Sequence, residues 1–182
     1  MNVFITRIFS LAAIGFLSGS VFSLLFPGST VFPTFVFAFA IALSLSRGFL
    51  EAFPAVVALG LFADAATLGR VGVLSGFGVG LAYTASFFSR RFAVEHSALT
   101  TVFSGLLAGI ATIFFSVFSG LLLYGSIGAN QVFQVLFSWH PIVSIVSGII
   151  FSAFAIVSIR KYDELISRMD PGATFFVRRQ KR

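Results

Sequence analysis

The sequence predicts an all-α integral membrane protein that crosses the bilayer six times as a helix bundle. Three observations predict it: an apolar composition, apolar runs of membrane-spanning length, and basic residues gathered at alternate ends of those runs. Of the 182 residues, 58% are hydrophobic and 10% are charged, whereas a soluble domain carries about 25% charged residues. A soluble fold of this size cannot bury that much apolar surface, so lipid must cover part of it.

The predicted helices follow from the lengths of the apolar runs. A helix needs about 20 apolar residues to cross the hydrocarbon core. Pro33 fits the first turn of the second helix, where a missing N–H costs little, and Arg90 with Arg91 ends the fourth. The runs are continuously apolar, whereas the strands of a membrane barrel alternate, so we reject a barrel. The predicted helices cover Ile8–Phe26, Val31–Ser46, Phe49–Thr67, Gly72–Ser89, Ala98–Tyr124 and Pro141–Ile159.

Basic residues predict the orientation of these helices. With six helices and an inside N-terminus, all but Arg70 of the twelve lysines and arginines fall on the inside. The positive-inside rule therefore places both termini in the cytoplasm. The net charge of +6 is best explained by contact with anionic lipid, because no nucleic-acid-binding module accompanies it. We therefore expect no nucleic-acid partner.

The chain divides into a membrane domain, residues 1–159, and a basic cytoplasmic tail, residues 160–182. The tail begins with a polar segment, Arg160 to Met169, that is compatible with a helix, and Asp170 to Gly172 then breaks it. The basic end of the tail either dips into the lipid surface or stays solvated.

Known catalytic and cofactor motifs are missing from the sequence. There is no cysteine, which excludes disulfides and thiolate metal sites. We find no phosphate loop, dinucleotide fingerprint, metalloprotease pair or nucleophile elbow. We therefore expect no cofactor, no metal site and no enzymatic activity. The remaining enzymatic alternative is that Asp64, Arg70 and His140 converge at the outer surface.

Small residues recur at four-residue spacing in several predicted helices. Such stripes let helix backbones approach closely, and this packing holds helices together in lipid. We expect the stripe of Gly72, Gly76 and Gly80 to be an internal seam of the bundle. Gly15 and Gly19 are the better candidates for docking a partner, so leucine at either should weaken partner binding. Further stripes are Gly105 with Gly109, and Ser144 with Gly148 and Ser152.

Asp64 is the most conspicuous ionisable residue, because it lies in an apolar helix close to the outer end. A carboxylate at membrane depth is costly and is therefore a candidate functional group. Thr67 and Arg70 are its candidate partners nearby in sequence. Either the carboxylate orders the turn between the third and fourth helices, or it binds a substrate or an ion.

The middle of the chain, from about Phe32 to Phe118, carries a set of residues that punctuate the helices. A proline opens the second helix, which ends at a basic residue and a glycine. The third helix carries a glycine, an aspartate four residues later and then a glycine-punctuated turn. A tyrosine and a basic-aromatic stop follow in the fourth. In chain order these residues are Pro33, Arg47, Gly48, Gly60, Asp64, Gly69, Gly72, Tyr83, Arg90, Arg91 and Phe92.

This pattern, with the chain length and the six-helix layout, resembles the rod shape-determining protein MreD family. The resemblance implies a non-enzymatic scaffold in the bacterial inner membrane that binds the bitopic protein MreC. Such a scaffold helps to couple MreB filaments of the elongation complex to peptidoglycan synthesis outside, and so regulates cell shape.

The MreD family is similar in fold to the substrate-binding subunits, or S components, of energy-coupling-factor vitamin transporters. The alternative function is therefore a subunit of this transporter class. It would need a small-molecule pocket near the outer surface, which native mass spectrometry would reveal as a vitamin-sized adduct. The short first loop, Pro27 to Thr30, disfavours a large lid over such a pocket.

Overall fold

A computed structural model describes residues 3–25, 31–66, 72–92, 97–124 and 139–169 of the chain. These residues form six helices and no strand, which confirms the predicted all-α class. Most helix ends lie close to the predicted ones. The first helix, however, begins at Val3 and not at Ile8, and the last helix continues beyond the predicted domain boundary at residue 159. The helices are α1 (Val3–Leu25), α2 (Val31–Arg47), α3 (Phe49–Ala66), α4 (Val73–Phe92), α5 (Ser97–Tyr124) and α6 (His140–Met169).

Several of these helices have the length and composition of membrane spans. Among the described residues, three helical segments are long and apolar enough to cross a bilayer: Phe49–Ala66, Ala98–Phe118 and His140–Ile166. The apolar parts of the other three helices are shorter. The 17 residues of α2 extend about 25 Å, whereas the hydrocarbon core is about 30 Å thick. The position of α2 in the bundle explains why this helix can be shorter than the hydrocarbon core is thick.

Helix α2 is the centre of the fold. It packs against each of the other described helices, and every residue from Pro33 to Ser44 is buried. A helix that is apolar all round must be enclosed by protein or lipid on every side. Here protein encloses it, so α2 does not need to match the bilayer thickness by itself.

Phenylalanine rings of α2 fill the bundle in different directions. Phe35 contacts Phe151 of α6 with ring centroids 5.5 Å apart, and Phe37 contacts Phe115 of α5 at 5.6 Å. Phe39 lies against α1. These three phenylalanine side chains are fully buried, and the ring separations are those of favourable aromatic pairs. The axis of the described bundle is therefore packed by side chains.

The five outer helices form two groups around α2. Helices α1, α3 and α4 pack in sequence, with α3 between the other two, while α5 and α6 form a close pair. Between α4 and α5 the backbones make few contacts in the described segments. Phenyl rings bridge this gap, because Phe77 of α4 contacts both Phe115 and Phe118 of α5 at about 5.5 Å. Aromatic side chains thus replace close backbone packing at this seam.

Glycines make the contact between α5 and α6. A Cβ atom at Gly105 would overlap the backbone of Ile149, and one at Gly148 would overlap the carbonyl oxygen of Gly105. A Cβ at Gly109 would lie 2.7 Å from the Cα of Ile145. Real Cβ atoms do not approach so closely. The small residues at these positions therefore permit backbone contact, as in other close helix pairs in membranes.

Our assignment of the other glycine stripes was wrong. Gly76 and Gly80, expected in an internal seam, have no heavy atom within 4 Å of an added Cβ. Gly15 and Gly19, expected to face a partner, are buried. A Cβ at Gly15 would lie 3.1 Å from the Phe39 ring, and one at Gly19 would lie 2.9 Å from the Phe35 ring. The rings of α2 need the space left by α1, so Gly15 and Gly19 are internal.

The corner between α2 and α3 depends on a single glycine and two serines. Gly48 has a φ of 80°, which L side chains rarely adopt, and its N–H donates to the Ser44 carbonyl at 2.8 Å. The Ser44 hydroxyl in turn donates to the Ala82 carbonyl at 2.5 Å. Ser86 accepts the N–H of Phe49 at 3.0 Å. These bonds attach the corner to α4.

We predict that Gly105→Ala lowers the stability of the protein and that Gly80→Ala does not. Alanine gains up to about 1 kcal/mol over glycine in helix propensity, so Gly80→Ala should leave the free energy of unfolding unchanged or raise it. Gly105→Ala should lower it by about 1 to 3 kcal/mol, because the methyl group forces α5 and α6 apart. Unfolding titrations with sodium dodecyl sulfate in mixed micelles measure both. Equal effects of the two substitutions would contradict the α5–α6 contact described above.

Candidate functional site

Asp64 lies near the end of α3, and its side chain is 2% exposed. Its carboxylate accepts three backbone hydrogen bonds at the start of α4. One oxygen accepts the N–H of Leu74 at 2.9 Å. The other accepts the N–H of Gly72 at 2.8 Å and that of Ser75 at 3.3 Å. The carboxylate of one helix thus covers the N-terminus of the next.

This geometry satisfies the polar groups on both sides. The first N–H groups of a helix lack intrahelical acceptors, and the helix dipole favours negative charge at that end. Hydrogen bonds from such groups to a carboxylate are charge-assisted and strong. The arrangement of Asp64 is that of the structural alternative, in which the carboxylate orders the turn between α3 and α4. Its sequence-predicted partners Thr67 and Arg70 lie outside the described residues.

Two glycines allow Asp64 to reach α4. A Cβ at Gly60, one turn earlier on α3, would lie 2.8 Å from the Cβ of Ser75 and would overlap its backbone. Gly72, which donates one of the three bonds, has a φ of 95°, a value that favours glycine. The structure thus brings together Gly60, Asp64 and Gly72 of the predicted pattern. Gly69 lies outside the described residues.

A second polar cluster lies at the opposite end of the bundle. Arg47, the last residue of α2, forms a salt bridge with Asp163 of α6, and its guanidinium carbon lies 5.9 Å from the centre of the Tyr162 ring. The Tyr162 hydroxyl is 2.6 Å from the hydroxyl of Ser10 on α1. We call Ser10, Arg47, Tyr162 and Asp163 the basal cluster. It joins α1, α2 and α6 at this end.

Arg47 is among the residues predicted from the sequence, but its partners Asp163 and Tyr162 are not. Asp163 is 116 residues away, and it lies in the segment assigned to the tail. The signal available in the sequence was the polarity of that segment, which includes an acidic and an aromatic residue one turn beyond the apolar run. Nothing in the sequence pairs those residues with α2, because the pairing depends on how α6 packs against the bundle.

The remaining predicted residues take separate positions. Pro33 is buried in the first turn of α2, as predicted for a proline there. Tyr83 is exposed on α4, and its ring contacts Phe49 edge-on with centroids 5.3 Å apart. Arg90 and Arg91 lie in the last turn of α4, and their side chains are outside the described part.

The described residues offer no group of three histidine, cysteine, aspartate or glutamate side chains that could hold a metal ion. His140 is exposed at the start of α6. Arg70, the third member of the enzymatic alternative, lies outside the described ranges. With this geometry established, comparison with family models, curated proteins and solved structures finds no match to the chain.

We predict that Asp64→Ala destabilises the protein by at least about 3 kcal/mol, because it leaves three N–H groups at the start of α4 without their acceptor, two of them buried. Asp64→Asn should cost about 1 to 3 kcal/mol, since its single carbonyl oxygen replaces only part of the carboxylate. The measurement is the free energy of unfolding in mixed micelles. Glu51→Gln is the control, because Glu51 is an exposed carboxylate on the same helix. If Asp64→Ala unfolds like the control, the carboxylate does not hold α4.

Proposed function

We propose that this chain is a membrane-embedded scaffold similar to MreD, which works by binding a partner and not by catalysis. One observation carries the proposal: the buried carboxylate, the strongest candidate for chemistry in the sequence, is bound to the first turn of α4. A group used in this way fixes the shape of the bundle. Its neighbours Gly60 and Gly72 belong to the pattern that resembles MreD.

The exposed face of α6 supports a membrane crossing. Its apolar side chains begin after Trp139, which is 78% exposed, and end before the exposed residue Arg160. The 20 residues between these two positions rise about 30 Å, which matches a hydrocarbon core of about 30 Å. Tryptophan and arginine are typical of the two membrane–water boundaries.

The basal cluster supports the proposed orientation. Its contacts place the first turns of α1, the end of α2 and the end of α6 at one end of the bundle. Arg7, Arg47 and Arg160 belong to these segments. The positive-inside rule assigns such an end to the cytoplasm. We therefore propose six crossings, both termini inside, and a location in the bacterial inner membrane.

The packed axis supports a scaffold over a transporter subunit. Phe35, Phe37 and Phe39 fill the described centre of the bundle, and the two ends of the helices are tied by Asp64 and by Arg47. A rigid body with lipid-facing apolar surfaces suits the binding of a partner's membrane helix, because packing and not hydrophobicity drives helix association in lipid. The expected partner is an MreC-like bitopic protein of the elongation complex.

We predict the orientation from reporter fusions to the full chain. Green fluorescent protein fused after Arg182, or inserted between α4 and α5, should fluoresce, because it folds in the cytoplasm. Alkaline phosphatase inserted between α1 and α2, or between α3 and α4, should be active, because it folds outside. An active phosphatase at the C-terminus would contradict the proposed orientation.

We also predict that the chain co-purifies with an MreC-like protein of its own genome. Asp64→Asn should reduce the amount of recovered partner only because less of the variant protein folds. The amount of partner recovered per folded molecule should equal that of the wild type, and Glu51→Gln should behave like the wild type in total recovery. Loss of partner by fully folded Asp64→Asn protein would give Asp64 a direct role in binding. A vitamin-sized adduct in native mass spectrometry, without a partner, would favour the transporter subunit instead.

A further inference from the structure

Helix α6 has one continuous exposed face that changes its chemistry along the helix. Exposed apolar residues follow one another at spacings of three or four, as expected for one side of a helix. The side chains of Val146, Ile150 and Val157 are each about half exposed, at 51%, 56% and 52%. The next residues on this same face, one turn after Val157, are Arg160 and Lys161, and both are exposed.

The acidic residues near this point do not cancel the charge. Asp163 is turned toward α2 and is paired with Arg47, so it belongs to the basal cluster. Glu164 is exposed on the α6 face, together with Lys161 and, one turn further, Arg168. Three basic side chains against one acidic side chain leave the face with a net positive charge. Within the described ranges, the structure pairs neither Arg160 nor Lys161 with an acid.

We propose that Arg160 and Lys161 bind the phosphate of an anionic phospholipid whose acyl chains lie along the apolar face of α6. Arginine and lysine at the end of a membrane helix extend their apolar stems along the bilayer and place the charge at headgroup level. The order of the face, with apolar residues first and two adjacent cations next, follows the order of acyl chain and headgroup phosphate in a lipid molecule.

The contrast with Arg47 makes the assignment specific. Arg47 lies at the same end of the bundle, but its guanidinium is engaged by Asp163 and the Tyr162 ring. Arg160 and Lys161 lie on the outer side of α6, next to the apolar surface that we assign to lipid. The site therefore faces the membrane. This inference rests on the proposed membrane crossing of α6 and is independent of the proposed scaffold role.

The test is native mass spectrometry of the full chain in mild detergent with equal amounts of phosphatidylglycerol and phosphatidylcholine that carry the same acyl chains. The wild type should retain phosphatidylglycerol preferentially, and the preference should weaken as ionic strength rises. Each basic residue near an anionic surface contributes about 1 kcal/mol. The double variant Arg160→Gln/Lys161→Gln should therefore lower the preference about 25-fold.

Two further variants make the result specific to this site. Arg178→Gln/Arg179→Gln removes the same charge from the tail and should keep most of the preference. Arg160→Lys/Lys161→Arg keeps the charge and should behave like the wild type. The proposal is overturned if Arg160→Gln/Lys161→Gln retains the preference, if the tail variant loses it equally, or if excess inorganic phosphate displaces the lipid. If the lipid preference is absent but the reporter fusions place the C-terminus inside, only the lipid site is wrong and the proposed membrane crossing stands. If the fusions place the C-terminus outside, both the lipid site and the proposed orientation are wrong.

Discussion

Enclosure of α2 is the constraint on which the rest of the structure depends. This helix carries bulky apolar residues on all sides, and every residue from Pro33 to Ser44 is buried. A helix of this kind cannot leave one face to water, and here the other described helices surround it. Because protein replaces lipid around α2, the helix can be short. The phenylalanine rings of α2 require small residues on the neighbouring helices. Gly15 and Gly19 of α1 leave space for two of these rings.

The outer helices are joined by different means at different levels of the bundle. At one end the carboxylate of Asp64 ties α3 to α4, and at the other the salt bridge of Arg47 ties α2 to α6. Between these ends, glycines bring α5 against α6, whereas phenyl rings bridge α4 and α5. The polar contacts of Asp64 and Arg47 therefore lie near helix ends, and close packing joins the outer helices between them.

The helices could be predicted from the sequence because apolar length and helix-breaking residues are local properties. Gly48 is an example, since a glycine directly after Arg47 marks the end of α2 in the sequence, and its φ is positive in the structure. The direction of each glycine stripe could not be predicted, because a stripe shows only that close approach is possible. Gly80 is open and Gly105 is in backbone contact, although both occur in the same four-residue spacing. The pairing of Arg47 with Asp163 likewise depends on how α6 packs.

Gly60, Asp64 and Gly72, three residues of the pattern predicted from the sequence, act together in one contact between α3 and α4. Asp64 reaches the N–H groups of α4 only if the two helices approach closely, which requires Gly60 opposite Ser75. Leu74 presents its N–H to the carboxylate only if the chain turns sharply before it, which requires the positive φ of Gly72. Each residue is therefore needed because of the others, and a change at one removes the reason for the rest. Residues coupled in this way fix how α4 packs against α3.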